Sequence, residues 1–189
     1  MTAPIALITV TIVMAARALA GEEGRRTMGL LLANPVRRST VVLQKALAMV
    51  VNAVLVGFAT FAGVVVGSWL GRLGMDIGNI AAISALATLL GLAFGGLALA
   101  LSAGTGRTKI VVYVTSGVAL AMYLVNSFLP LSAGLAGWAE WSPFYYFLRG
   151  DPLNRGMDWG SGALLAALFV GLVALSVWLF QRRDLRQVG

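Results

Sequence analysis

Hydrophobic residues run through this chain in five long blocks separated by short polar stretches. Uncharged apolar runs cover Thr2–Ala16, Ala46–Leu70, Ile80–Ser102, Ile110–Leu131 and Gly160–Phe180. A helix that crosses a bilayer needs about 20 such residues. The last four runs meet that length. The first gives roughly 22 Å of helix before Arg17, against a hydrocarbon layer of about 30 Å. Either it continues through Ala18-Leu19-Ala20, or it belongs to a longer helix that begins before Met1. The pattern predicts an all-α polytopic membrane bundle, a single transmembrane domain over residues 1–189. Its five spans lie near residues 2–20, 42–70, 80–102, 110–131 and 160–180, with a polar segment at 21–41 and another at 132–159.

Composition agrees. The chain is 59% hydrophobic and 11% charged, with a mean hydropathy of +0.90. A soluble domain carries about 25% charged residues, so the solvent for this surface is lipid. The sequence pI near 10.8 reflects short basic tracts beside apolar runs, which suits orientation in a membrane and not a nucleic-acid groove. There is no Cys and no His. Disulfides, thiolate chemistry, the usual zinc sites and His-based acid–base catalysis are therefore excluded. An intramembrane enzyme has nothing to work with, because the spans also lack paired carboxylates.

The charges also orient the chain. If the segment Arg17–Lys45, the loop Ala103–Lys109 and the tail after Phe180 share one side, that side holds eleven of the fourteen Lys/Arg residues. The positive-inside rule then places that side, with the C-terminus, in the cytoplasm. A cleavable signal peptide ending at Ala20 would set this basic surface outside, and its basic leading region is missing.

No Asp, Glu, Lys or Arg lies inside the four later apolar runs. Such groups cost at least about 2.5 kcal/mol at mid-bilayer and mark proton relays, ion paths and voltage sensors. Energy for any transport must come from elsewhere. The mild polar residues of the spans, Thr9, Thr11, Asn52, Thr60, Ser84, Thr88, Thr115, Ser116, Asn126 and Ser127, serve either helix–helix hydrogen bonding or the lining of a path. Asn126, an amide near Tyr123, is the strongest lining candidate. Gly63, Gly67 and Gly71 form a GxxxGxxxG series and Gly91 and Gly95 a GxxxG pair, spacings that let helix backbones approach closely. Ser102–Lys109 imitates a phosphate loop, but its glycines are two apart and no strand precedes it. It reads as a tight turn with two basic anchors.

The segment Arg17–Lys45 is the longest charged stretch. Thr27, Met28, Leu31 and Leu32 form one face of a helix, with Glu22 and Glu23 at its favoured acidic start. Asn34-Pro35 ends it, Arg37 and Arg38 anchor it at the membrane surface, and Ser39 or Thr40 caps the next span. From the residues alone the helix either docks a partner or lies on lipid headgroups.

Three segments resemble one family in register. Gly21–Ser39, GEEGRRTMGLLLANPVRRS, followed by Lys45, is similar to the G-E-E-x-x-x-T-x-x-x-L-L-x-x-P-x-x-R segment of membrane subunits of type-2 ABC exporters. Trp141–Gly156, WSPFYYFLRGDPLNRG, resembles that family's outer S-P-F-x-Y…D-P-L…G pattern, and Trp178–Leu185 its usual ending. The resemblance implies six spans, of which this chain would supply the last five. It implies that residues 21–41 hold a coupling helix. There Glu22, Glu23, Thr27, Met28, Leu31, Leu32 and Pro35 would dock on a separate ATPase subunit carrying ATP and Mg, with no cofactor in this chain. It further implies a second permease subunit, identical or different, in a bacterial cell membrane. A re-entrant region over Leu131–Trp159 would cap the exit. Thr9, Thr11, Tyr123 and Asn126 would line the substrate path. An uncharged interior points to lipophilic or amphipathic cargo such as drugs, antibiotics or lipids. The alternative is a non-transporting scaffold or truncated assembly subunit of such a complex.

Overall fold

A computed structural model describes residues 2–21, 38–131 and 136–182. Five helices in it are long and apolar enough to cross a membrane: Ala3–Gly21, Ser39–Leu70, Ile77–Thr105, Thr108–Leu131 and Trp159–Arg182. We label the long helices α1 (Thr2–Ala16), α2 (Arg38–Leu70), α3 (Ile77–Thr105) and α4 (Thr108–Phe128). Two short helices, α5 (Pro143–Leu148) and α6 (Pro152–Arg155), precede α7 (Trp159–Arg182). The chain is an all-α polytopic membrane protein. No strand occurs among the described residues.

The first span does not stop at Arg17. It runs on as a π-helical turn, Arg17–Gly21, which keeps Arg17 exposed while burying Leu19 and Ala20. The buried Ala20 N–H donates to the Ser102 hydroxyl at 2.9 Å, tying the end of this span to the last turns of α3.

Helix α3 is the hub. Most of its residues are buried, whereas the other long helices keep broad apolar faces outward. Its glycines explain the close packing. A Cβ at Gly91 would meet the backbone of Leu7 on α1 at 3.2 Å. One at Gly95 would meet Met49 of α2 at 2.8 Å and Thr11 of α1 at 2.9 Å, and one at Gly96 would meet Phe169 and Leu172 of α7 at 3.1 Å. Three helices therefore seat on one short stretch of α3 because it lacks side chains there. The GxxxG pair at Gly91 and Gly95 acts within the subunit. Gly63 and Gly67 of α2 have nothing within 4 Å of an added Cβ.

The caps define the turns. The Asp76 carboxylate accepts the Asn79 N–H at 3.0 Å and starts α3. Gly106, at φ 62°, ends it, and its N–H reaches the Ser102 carbonyl. A positive φ favours glycine, so α3 stops there and α4 begins two residues later. The apparent phosphate loop is thus a helix C-cap and a two-residue turn.

The two ends of the bundle differ. At one end lie Ala20 beside Ser102 and Gly104 beside Leu179, so the end of the first span, the α3–α4 turn and the last turn of α7 share that end. At the other end Asn79 donates to the Leu153 carbonyl at 2.8 Å and Ser142 to the Met122 carbonyl at 2.9 Å, holding α5 and α6 against α3 and α4. Trp69, Trp138, Trp141 and Trp159 are exposed near that end. At the opposite end Trp178 is stacked by the Arg182 guanidinium, 4.1 Å from the ring centroid. Tryptophan at both ends is the arrangement of a membrane's aromatic belts.

Candidate functional site

Helices α1 and α4 run antiparallel and leave a cavity of about 280 Å³ between them. From α1 it is lined by Pro4, Ile5, Ile8, Thr9 and Ile12, and from α4 by Ser116, Ala119, Leu120 and Tyr123. Ile5, Ile8, Thr9 and Ile12 fall at i, i+3, i+4 and i+7, as do Ser116, Ala119, Leu120 and Tyr123. Each helix therefore presents one stripe to the space. Phe144 of α5 completes the wall.

Phe144 is fixed from two helices. Its ring centroid is 5.6 Å from that of Phe94 on α3 and 5.6 Å, edge-on, from that of Tyr123 on α4. Ser142 caps α5 by accepting the Phe144 N–H at 3.2 Å while its hydroxyl donates to the Met122 carbonyl. Pro143, at the first helical position, needs no N–H partner. The sequence Ser-Pro-Phe thus places one aromatic ring at the rim of the cavity and fastens it to the neighbouring helix.

Chemically the cavity is apolar with three hydroxyls. The Thr9 hydroxyl donates to the Ile5 carbonyl at 2.8 Å and keeps acceptor capacity. Ser116 and Tyr123 supply the others. Among the described residues no charged side chain lines it. A space of this kind receives an uncharged apolar body with a few hydrogen-bonding groups.

The path-lining residues expected from sequence separate here. Thr9 and Tyr123 come together in the cavity. Thr11 does not reach it. Two residues from Thr9, it is rotated about 200° around the helix and points to α3. There it is fully buried, and its hydroxyl lies 2.7 Å from the Gly91 carbonyl. Asn126 lies nearly a turn beyond Tyr123 and outside the lining. Ser116, one of the mild polar residues of the spans, joins Thr9 and Tyr123 in the lining, whereas Phe144 escaped the sequence reading. Phe144 is twenty-one residues from Tyr123, and only the Ser-Pro helix start hinted that its position was fixed. Glu22, Glu23, Thr27, Met28, Leu31, Leu32 and Pro35 lie outside the described residues.

A larger depression of about 720 Å³ lies at the α2–α3 turn, beside Ser68, Trp69, Arg72, Met75 and Ile80. Trp69, Leu70 and Arg72 are exposed there, as Ile5 and Leu120 are in the α1–α4 space, but this depression lies between helix ends and carries the charged Arg72. Among the described residues no cluster of acidic, His or Cys side chains could hold a metal ion.

The family model for the ABC-2 family transporter proteins matches residues 2–185. The chain belongs to that family. It is therefore a membrane-spanning permease subunit of the ABC transporter kind. No curated protein and no solved structure matches the chain. In the ABC-2 protein the Gly-Glu-Glu segment joins α1 to α2, and the Ser-Pro-Phe segment builds α5.

Proposed function

We propose that this ABC-2 permease exports an uncharged lipophilic or amphipathic molecule, driven by a separate ATPase subunit. The observation that carries this is the α1–α4 cavity, built from two apolar stripes and three hydroxyls without a charged residue. Nothing in that lining serves proton or ion coupling, so the energy is delivered from outside the chain. The segment 21–41 is the receiving surface. It follows Gly21, which closes the π-helical turn of α1 at the same end as the α3–α4 turn and the last turn of α7. The basic excess there sets that end in the cytoplasm, where an ATPase holding ATP and Mg meets it. A second permease subunit, identical or related, completes the path across the exposed faces.

In this account Glu22, Glu23, Thr27, Met28, Leu31, Leu32 and Pro35 form the docking contact. Leu31→Asp together with Leu32→Asp abolishes co-purification with the ATPase while the protein still inserts in the membrane. Unchanged co-purification with unchanged transport would remove this surface from the account.

A further inference from the structure

Phe144 has three attachments and one free aspect. Two aromatic contacts, to Phe94 and Tyr123, and the Ser142–Met122 hydrogen bond fix it from α3 and α4. Its remaining surface faces the α1–α4 cavity. Phe144 is 5% exposed, and the hub residue Phe94 is 3% exposed on its other side. The ring is thus a partition between the cavity and the interior of the bundle beneath the short outer helix. The cavity it bounds is about 280 Å³, just below the roughly 300–1,000 Å³ that small-molecule sites occupy. A smaller residue at this position would join the cavity to the space against Phe94. A larger one would take volume from it.

We propose that Phe144 is a specificity-determining residue: its ring sets how long an apolar chain the α1–α4 cavity accepts, and the bound class is an uncharged single-chain amphiphile. The proposal deepens the reading of the cavity as a cargo site and rests on it. The chain runs along the facing stripes of Ile5, Ile8, Ile12 and Leu120. Among the described lining residues Thr9, Ser116 and Tyr123 alone carry side-chain hydrogen-bonding groups, and hydroxyls suit a hydroxyl or ester head and not a charged one.

The test is photo-crosslinking of the full chain in lipid nanodiscs with a diazirine-bearing dodecanol. Octanol, dodecanol and hexadecanol serve as competitors, and labelled peptides are mapped by mass spectrometry. The wild type should show saturable labelling of residues 4–12 and 116–123, competed better by the shorter alcohols than by hexadecanol. Phe144→Leu and Phe144→Ala should move the preference stepwise toward hexadecanol, by about tenfold, the factor that a methylene or so of misfit produces in a fitted pocket. Phe144→Trp should move it the opposite way, a shift that a merely loosened fold would not give. An unchanged chain-length preference in all three folded variants overturns the role of Phe144. Absence of saturable labelling in the wild type overturns the cargo site as well. Saturable, Phe144-dependent labelling in a chain that recruits no ATPase would instead leave this inference standing and remove the transport reading.

Discussion

The Ser142 hydroxyl donates to the Met122 carbonyl across 2.9 Å, and its oxygen also accepts the Phe144 N–H at 3.2 Å. One fully buried side chain therefore starts the short helix α5 and fastens it to α4, one residue from Tyr123. Replacing Ser142 by Ala removes both bonds. The loss should be about 1–2 kcal/mol, the worth of a helix cap with an interhelical hydrogen bond in a membrane. Thermal unfolding in nanodiscs measures it, and Ser142→Thr should recover most of the difference. Equal stability of Ser142→Ala and wild type would show that α5 is held by its aromatic contacts alone.

Two glycine replacements should differ sharply. Gly95→Ala forces a methyl group against Met49 and Thr11, at 2.8 and 2.9 Å, and should cost about 1–3 kcal/mol as an overpacked contact. Gly63→Ala meets nothing within 4 Å and should be neutral or slightly stabilising, since alanine is the better helix former. Comparing the unfolding temperatures of the two variants tests whether α3 is the packing hub.

Thr11 and Thr115 make a second pair. Both are fully buried, yet the Thr11 hydroxyl bonds the Gly91 carbonyl whereas the Thr115 hydroxyl has no partner among the described residues. Thr11→Val should destabilise by about 0.6–2 kcal/mol while leaving cargo selectivity unchanged. Thr115→Val removes an unpaired polar group and should be neutral or stabilising. Thr9→Val, by contrast, should alter selectivity with little effect on stability.

Asp158 gives the α5–α6 end of the bundle a pH dependence. The Ser161 hydroxyl, 2.7 Å away, is the main cause that holds its carboxyl below the usual aspartate range, helped by the backbone N–H groups of Ser161 and Gly160 and by the Arg149 charge. A carboxylate with a lowered folded pKa contributes stability above the unfolded value and loses it as pH falls through the folded one. Unfolding temperature followed downward through about pH 4 should fall less steeply for Asp158→Asn than for wild type. Parallel curves would deny Asp158 this role.

Hydrophobic runs made the spans legible, because lipid demands long apolar helices and little else. The helical continuation past Arg17 needed the structure. A charged residue in the sequence breaks the run, and only the π turn shows Arg17 turned outward while Leu19 and Ala20 stay buried. The glycine spacings were legible but not their use: Gly91 and Gly95 receive α1, while the same spacing at Gly63 and Gly67 receives nothing among the described residues. Thr9 and Thr11 looked equivalent in sequence because periodicity names a face without naming the neighbour it meets. Phe144 was hidden because its cavity neighbours come from distant helices.

Co-reconstitution of the permease with its ATPase in liposomes tests the central claim most directly. ATP hydrolysis and export are followed as dodecanol or a fluorescent uncharged amphiphile is added. The account predicts hydrolysis that rises with the amphiphile, ATP-dependent movement away from the side bearing segment 21–41, and loss of both with Leu31→Asp and Leu32→Asp. An ATPase that binds the permease yet hydrolyses ATP at a rate indifferent to every uncharged amphiphile, with no movement of any, would contradict it.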